Sequence, residues 1–363
     1  KTPVVRSLMG FVMMTSFSLI IYNGPIAIAL LVLLIIQGGF FEISRVGYSA
    51  YNAKHLPYFK KISYLFLFSI NYFMCGETII EKFGSALMEN YLIRPFVLYH
   101  KLISFFLYTI GFVLFVLTLK KPYFLKQFTL FAYVHVSLIV AVAPNLAIRN
   151  LLFGLVWFIV PACCVIFNDI AAYTFGFFYG RTKLIKLSPK KTWEGFIGAF
   201  FTTIIFALVL SSILCCFKFF TCPLEYDFKN GKILYECENS QIFQGETFYL
   251  FGLKWTFYPF HKHALVISMF ASLVAPFGGF FSSGFKRAFN IKDFGNTIPG
   301  HGGIIDRFDC QILIFVFVYV YTNSIISTKT PNFYLNEILS LNAHEQTQFL
   351  KLIKSHFNNL DGL

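Results

Sequence analysis

A series of long apolar runs, broken by short polar stretches, decides what this chain can become. Residues 7–22, 25–41, 62–74, 100–119, 124–143, 150–167, 196–217, 264–281 and 310–321 carry almost no charge. A helix that crosses a bilayer needs about 20 such residues, and lipid offers no partner to an unpaired backbone N–H or C=O. The chain therefore reads as an all-α polytopic membrane protein with about nine transmembrane helices, a count that its shorter runs leave open by one or two. Composition agrees: 57% of residues are hydrophobic and Phe alone supplies 49 of 363. One soluble core could not hide that much apolar surface. Residues 77–92 mix charge with apolar positions and fit an interfacial helix with Glu77 and Glu81 on its exposed face. The chain starts at Lys1 rather than Met, so a longer native N-terminus is expected, and a targeting signal there would lie outside this sequence.

Charge supplies orientation. The formal net charge is +13, and the larger share of it anchors loops on the cytoplasmic side. Binding to nucleic acid is excluded, because no basic soluble domain exists to carry it. Arg181, Lys183, Lys186, Lys190 and Lys191 crowd one loop, and Lys286, Arg287 and Lys292 crowd another. Two spans separate these loops, so they share a side, which the positive-inside rule makes cytoplasmic. Lys60, Lys61, Lys120 and Lys121 join them by parity. The loop 217–262 then faces the opposite compartment, as does the tail beyond Tyr321. Of eight cysteines none shows metal-binding spacing. Cys163, Cys164, Cys215 and Cys216 sit in apolar runs as small core residues. In an oxidising lumen Cys222 and Cys237 are expected to close a disulfide.

The densest polar stretch is 283–309, SGFKRAFNIKDFGNTIPGHGGIIDRFD, lying between two apolar runs. Lys and Arg interleaved with Asp suit a polyphosphate and a divalent cation, since the bases neutralise phosphate oxygens while carboxylates hold Mg²⁺. The Gly300-His301-Gly302-Gly303 turn lets backbone N–H groups approach an anion, and the helix beginning at Ile304 favours negative charge at its start. Asp306 is the leading metal ligand, Asp293 the second, and Asp309 either ligates or orients Arg307. Arg287 suits a bidentate phosphate grip, with Lys286 and Lys292 as point charges. His301 reads as a phosphate contact, with a purely structural role equally open.

A second polar stretch follows residue 168. Asp169 sits at the end of an apolar run, where an unpaired carboxylate is costly and a functional role is the default. Ser188-Pro189-Lys190-Lys191-Thr192 precedes the next span, with Thr192 as its N-cap. The two lysines beside that helix start could cradle phosphate, although a lone Lys pair more often only anchors a loop.

The spacing S-x-F-K-R, four residues, K-D-x-G-x-x-I-P-G-H-G-G-I-x-D-R-F-D, from Ser283 to Asp309, resembles the signature of the phosphatidate cytidylyltransferases, or CDP-diacylglycerol synthases. SPKKTWEG, 188–195, resembles that family's second conserved block. The resemblance implies transfer of CMP from CTP to phosphatidate, with Mg²⁺ as cofactor and a second, monovalent cation left open. The partners it implies are CTP, phosphatidate, membrane lipid and a second copy of the chain in a homodimer. Ser283 and Arg307 join Asp169, Ser188, Lys190, Lys191, Thr192 and Lys286 as the expected substrate-binding set. Bacterial members carry acids just before the signature serine, where this chain has Gly279-Phe280-Phe281-Ser282, so Asp169 or Asp293 is expected to take over as ligand. That departure, with the long 217–262 loop, resembles the eukaryotic branch and implies the endoplasmic reticulum ahead of the mitochondrial inner membrane. The expected layout is N-terminal membrane helices over 1–150, a catalytic membrane region over 151–327 and a polar tail over 328–363. The competing readings are a CTP-dependent polyprenol kinase, which would move the γ-phosphoryl group, and a transporter. The clustering of charge at one membrane face and the lack of an internal repeat argue against the transporter.

Overall fold

The computed structural model describes residues 2–51, 58–89, 91–119, 123–185, 188–227, 232–234, 237, 240–250, 253–326 and 343–360. The chain divides into two units, Lys1–Tyr319 and Val320–Leu363. The first holds α1 (Thr2–Tyr22), α2 (Pro25–Ala50), α3 (Phe59–Glu89), α4 (Arg94–Leu98), α5 (His100–Leu117), α6 (Phe124–Val142), α7 (Asn145–Leu152) and α8 (Val156–Tyr179). Its second half holds α9 (Trp193–Cys215), α10 (Lys218–Thr221), α11 (Phe260–Leu273), α12 (Pro276–Ala288) and most of α13 (Ile305–Tyr321). In the second unit a helix α14 (Ala343–Leu360) covers part of the expected polar tail; residues 328–342 lie outside the described residues.

Among the described residues seven helical segments are long and apolar enough to cross a membrane, with Leu8–Tyr22 a shorter one. The all-α polytopic expectation holds. The expected boundaries shift at three places, each for a local reason. The runs 62–74 and 77–92 are one continuous helix, α3, because no glycine-proline break separates them. Glu77 is not on a bare exposed face: it accepts from Arg149 Nη2 at 2.6 Å and Lys101 Nζ at 3.1 Å. The span expected at 150–167 begins later, because Gly154 takes a φ of +137° between α7 and α8. The helix then runs ten residues past Asp169, placing that carboxylate inside the helix rather than at its end. Finally, 264–281 is two helices. Pro276 starts α12, and a proline at that position gives up an N–H that a helix start leaves unused anyway.

Helices α8, α9 and α11 pack on one another, and α2 packs on α6 and α7. Polar side chains fix α13 against this frame: Asn150 Nδ2 donates to Phe315 O at 3.0 Å and Gln311 Nε2 to Ala162 O at 3.1 Å. Phe158 stacks on Phe315 and Phe270 on Phe317. In lipid, where apolar burial gives little preference between helices, such hydrogen bonds and close packing set the arrangement. Phe40, Phe66, Phe115 and Phe260 are fully buried, whereas Phe105, Phe201 and many others face outward.

Three two-stranded hairpins complete the described fold. The first, β1 (Lys183–Ile185) with β2 (Ser188–Thr192), shapes the loop between α8 and α9. The others, β3 (Glu225–Asp227) with β4 (Lys232–Leu234) and β5 (Glu246–Leu250) with β6 (Leu253–Phe257), lie in the 217–262 loop. Cys222 and Cys237 are disulfide-bonded there, as expected. The bridge closes a sequence separation of 15, and a closed loop of that size constrains the open chain by about 3 kcal/mol. Limited proteolysis of Cys222→Ser should therefore cut within this loop faster than in the parent protein. An unchanged cleavage rate would show that the bridge does not hold the loop.

Candidate active site

The signature folds around two carboxylates. The last turn of α12 carries Lys286 and Arg287, the following loop carries Lys292, Asp293 and His301, and the first turns of α13 carry Asp306, Arg307 and Asp309. Lys286 Nζ lies 2.6 Å from Asp306 Oδ1, and the Asp306 side chain is only 3% exposed. Asp306 Oδ2 accepts from Phe294 N at 2.9 Å and Gly303 N at 3.0 Å. Both oxygens of Asp306 are thus in use, and the Lys286 ammonium supplies its counter-charge. In this arrangement Asp306 anchors Lys286 and the turn. Asp293 lies beside it. Gly302 adopts a φ of +86°, and a Cβ there would stand 3.1 Å from Asp306 Oδ2 and 3.2 Å from Asp293 Oδ1. Only glycine takes that backbone so close to two carboxylates without strain.

The other anchor was not visible in the sequence. Glu42, from α2, is 3% exposed and accepts from Ile304 N at 2.9 Å, Ile305 N at 3.1 Å and Thr297 Oγ1. The start of α13 therefore already holds a protein carboxylate. The N–H groups of Gly303, Ile304 and Ile305 are thus taken by protein carboxylates rather than left open to substrate phosphate. The turn itself is closed by Ile298 N donating to Gly302 O and His301 N to Ile298 O. Arg307 Nε donates to His301 O at 2.9 Å. His301 Nδ1 is buried and, among the described residues, has no hydrogen-bond partner. That leaves hydrogen-bonding capacity for a ligand.

A second pair of carboxylates, Asp169 and Asp309, gathers one turn further along α13. Asp309 Oδ1 accepts from Cys310 N at 2.8 Å. Asp309 Oδ2 and Lys191 Nζ converge on Gly279, each 3.8 Å from where its Cβ would be. Asp169 feels the charges of Lys191, Asp309 and Arg307. Lys191 Nζ also lies 4.9 Å from the Phe280 ring centroid. No acid stands at 279–282, and the glycine there instead makes room for Lys191 and Asp309. Gly278 and Ala199, small residues suited to close helix contact, are used within the chain: Gly278 meets Asp309 O, and Ala199 is buried.

Beside the Lys286–Asp306 pair opens a cleft of about 450 Å³ lined by Ser283, Lys286, Arg287, Asn290, Ile291 and Lys292. Among the described residues neither Arg287 nor Lys292 forms an ion pair, so their charge faces the cleft uncompensated. Ser283 Oγ donates back to Gly279 O at 2.8 Å. The SPKKT segment does something different from a bare helix start. Thr192 caps α9 as expected, accepting from Gly195 N at 3.2 Å. Trp193 N donates to Thr182 O, and Glu194 accepts from the backbone N–H groups of Arg181 and Thr182. Of the N–H groups at this helix start, that of Trp193 is thus spent on the hairpin loop and that of Gly195 on the cap, and Ser188 pairs with Ile185 within the hairpin. The side chain of Lys190 lies outside the described residues, so Lys191 alone is placed at the site.

Mg²⁺ is commonly held by one or two carboxylates, with water and substrate phosphate filling its other positions. Asp169 and Asp309 are two acids that interact electrostatically with each other beside Lys191, the number of carboxylates that this pattern asks for. Among the described residues no group of three or more His, Cys, Asp or Glu gathers as a metal site, and the two-carboxylate pattern does not require one.

A cleft lined by Lys286, Arg287 and Lys292, with Asp306 anchoring Lys286, among helices apolar enough to cross a membrane, suits a membrane enzyme that handles phosphate. The chain belongs to the cytidylyltransferase family, whose sequence model matches residues 4–325. It is 46% identical to human phosphatidate cytidylyltransferase 1 over 361 residues, 97% of this chain and 78% of that protein. It is 45% identical to human phosphatidate cytidylyltransferase 2 over 361 residues, covering 97% and 81%. A Caenorhabditis elegans phosphatidate cytidylyltransferase is 42% identical over 365 residues, covering 98% and 78%.

Proposed function

We propose that this enzyme transfers CMP from CTP to phosphatidate, giving CDP-diacylglycerol and pyrophosphate, by in-line displacement at the α-phosphorus. The observation that carries this reading is a cleft lined by the signature residues Ser283, Lys286, Arg287 and Lys292, with Lys286 held by Asp306. Arg287 and Lys292 stand there without an ion pair among the described residues, in a chain of this identity to phosphatidate cytidylyltransferases. Phosphatidate carries a phosphate already anionic near neutral pH, so the attacking oxygen needs no strong general base. The difficulty is to bring two anions together, and catalysis rests on position and charge neutralisation.

The cleft takes the CTP phosphates. Arg287 grips two oxygens, Lys292 adds a point charge, and Lys286 extends from its Asp306 anchor. Lys191, at the membrane side on Phe280, neutralises the lipid phosphate while the acyl chains stay in the bilayer. His301 donates or accepts through its unpartnered ring nitrogen. Asp169 and Asp309 would hold Mg²⁺, which when bound stabilises charge on the phosphoryl oxygens and on the leaving pyrophosphate. The endoplasmic reticulum membrane, with the site facing the cytosol where CTP is found, fits a disulfide in the loop at the other ends of α9 and α11, since such bonds persist in oxidising compartments. A homodimer belongs to the reading on resemblance alone, and light scattering of the detergent-solubilised protein tests it.

The decisive assay gives purified protein phosphatidate, Mg²⁺ and CTP labelled in either its α- or its γ-phosphate. The α-label is expected in the lipid extract and the γ-label in pyrophosphate. Label from the γ-position in lipid would mean a kinase and overturn the assignment.

A further inference from the structure

We infer that Glu42, on a helix far from the signature in sequence, is a positioning residue that sets the affinity of the cleft for CTP. Three donors of the signature converge on its carboxylate: Thr297 Oγ1, Ile304 N and Ile305 N. The fit leaves no space, since a Cβ on Gly303 would collide with Glu42 Oε2 and one on Gly295 would stand 2.8 Å from Oε1. Around it Ile43, Phe294 and Ile305 form a buried cluster, with Val46, Tyr133 and Phe285 packed against it. Tyr133 Oη donates to Ile43 O at 2.6 Å, so α6 braces α2 where α2 meets the loop.

The route from Glu42 to the cleft is short and made of direct contacts. Glu42 holds Ile304 and Ile305; the adjoining Gly303 N donates to Asp306 Oδ2; Asp306 Oδ1 holds Lys286 Nζ; and Lys286 lines the cleft. A carboxylate at the start of α13 also meets the positive end of the helix dipole, which a negative side chain complements better than a neutral amide does. Glu42→Gln keeps the size of the side chain but loses the charge, and it turns one acceptor oxygen into a donor facing an N–H. The loop must then shift, and Lys286 with it.

This inference rests on the cytidylyl transfer proposed above. Wild-type protein that moves no CMP would refute that reading, whereas active wild type with an unaltered variant refutes only the role of Glu42. In the Glu42→Gln enzyme the KM for CTP is expected to rise about 10-fold to 100-fold, the range found when a supporting residue behind a functional group is changed. A purely structural role would reduce the active fraction and hence turnover per milligram, but would leave KM alone. A KM for CTP within about twofold of wild type, whatever the turnover, overturns the proposal. Should Glu42→Gln fail to assemble, Thr297→Val decides the matter. It removes one of the three donors and leaves the carboxylate in place, so KM for CTP must rise in the same direction, and a wild-type value overturns the proposal.

Discussion

Asp306→Asn is expected to lose both stability and turnover, and a second substitution should separate the two. The asparagine leaves the Lys286 ammonium, 19% exposed, without its partner, and breaking a buried ion pair from one side costs about 3–5 kcal/mol. It also weakens the acceptor for Phe294 N and Gly303 N. The thermal midpoint in detergent should fall clearly, and CMP transfer should drop about a hundredfold as the turn and Lys286 lose their anchor. In Asp306→Asn with Lys286→Met no unpaired charge is left in the interior, so the midpoint should recover most of its loss. Transfer should stay low, because the methionine brings no charge to the cleft. A double variant that regains activity along with stability would show that Lys286 serves the fold alone. An Asp306→Asn protein with the parent's midpoint would show that the pair anchors nothing.

The spans were legible because hydropathy is a local property: each run announces itself without reference to the rest of the chain. The signature residues were legible because the spacing from Ser283 to Asp309 is contiguous, and the structure folds that stretch into one cluster. Cys222 and Cys237 were readable as a pair, since topology put both in one loop on one side. What could not be read are partners distant in sequence. Glu42 stands 262 residues from Ile304, and in the run QGGFFEISR it looks like the polar end of a span. Its only local signal is a carboxylate that follows Gly38-Gly39 inside an apolar helix, where an acid needs a reason. For the same cause the partners of Asp306, namely Lys286, Phe294 N and Gly303 N, appear only once the loop is closed. The SPKKT segment misled differently. Pro189 and Thr192 mark a helix start, but the strand pairing of Lys183 with Thr192 depends on a hairpin that short polar segments do not advertise.

The largest expected loss of activity follows from the Asp169–Asp309 pair. Asp309→Asn removes one of two interacting carboxylates beside Lys191, and Asp169→Asn removes the other. A divalent cation on a transferring phosphoryl group supplies several kcal/mol of charge stabilisation, so each single variant should lose about a thousandfold in CMP transfer. The fold should tolerate either change. Cys310 N can still donate to the amide oxygen at position 309, and Lys191 keeps the Phe280 ring and the remaining acid. If the pair holds the cation, the Mg²⁺ concentration that gives half-maximal transfer must rise in both variants, and the double variant should be hardly worse than either single one, since residues serving one ion act as a unit. Independent, multiplying losses would mean that the two acids serve separate ends. Turnover and Mg²⁺ dependence at wild-type level in Asp309→Asn would take the cation away from this site, and the acid at Asp293, beside Gly302, would be the next to substitute.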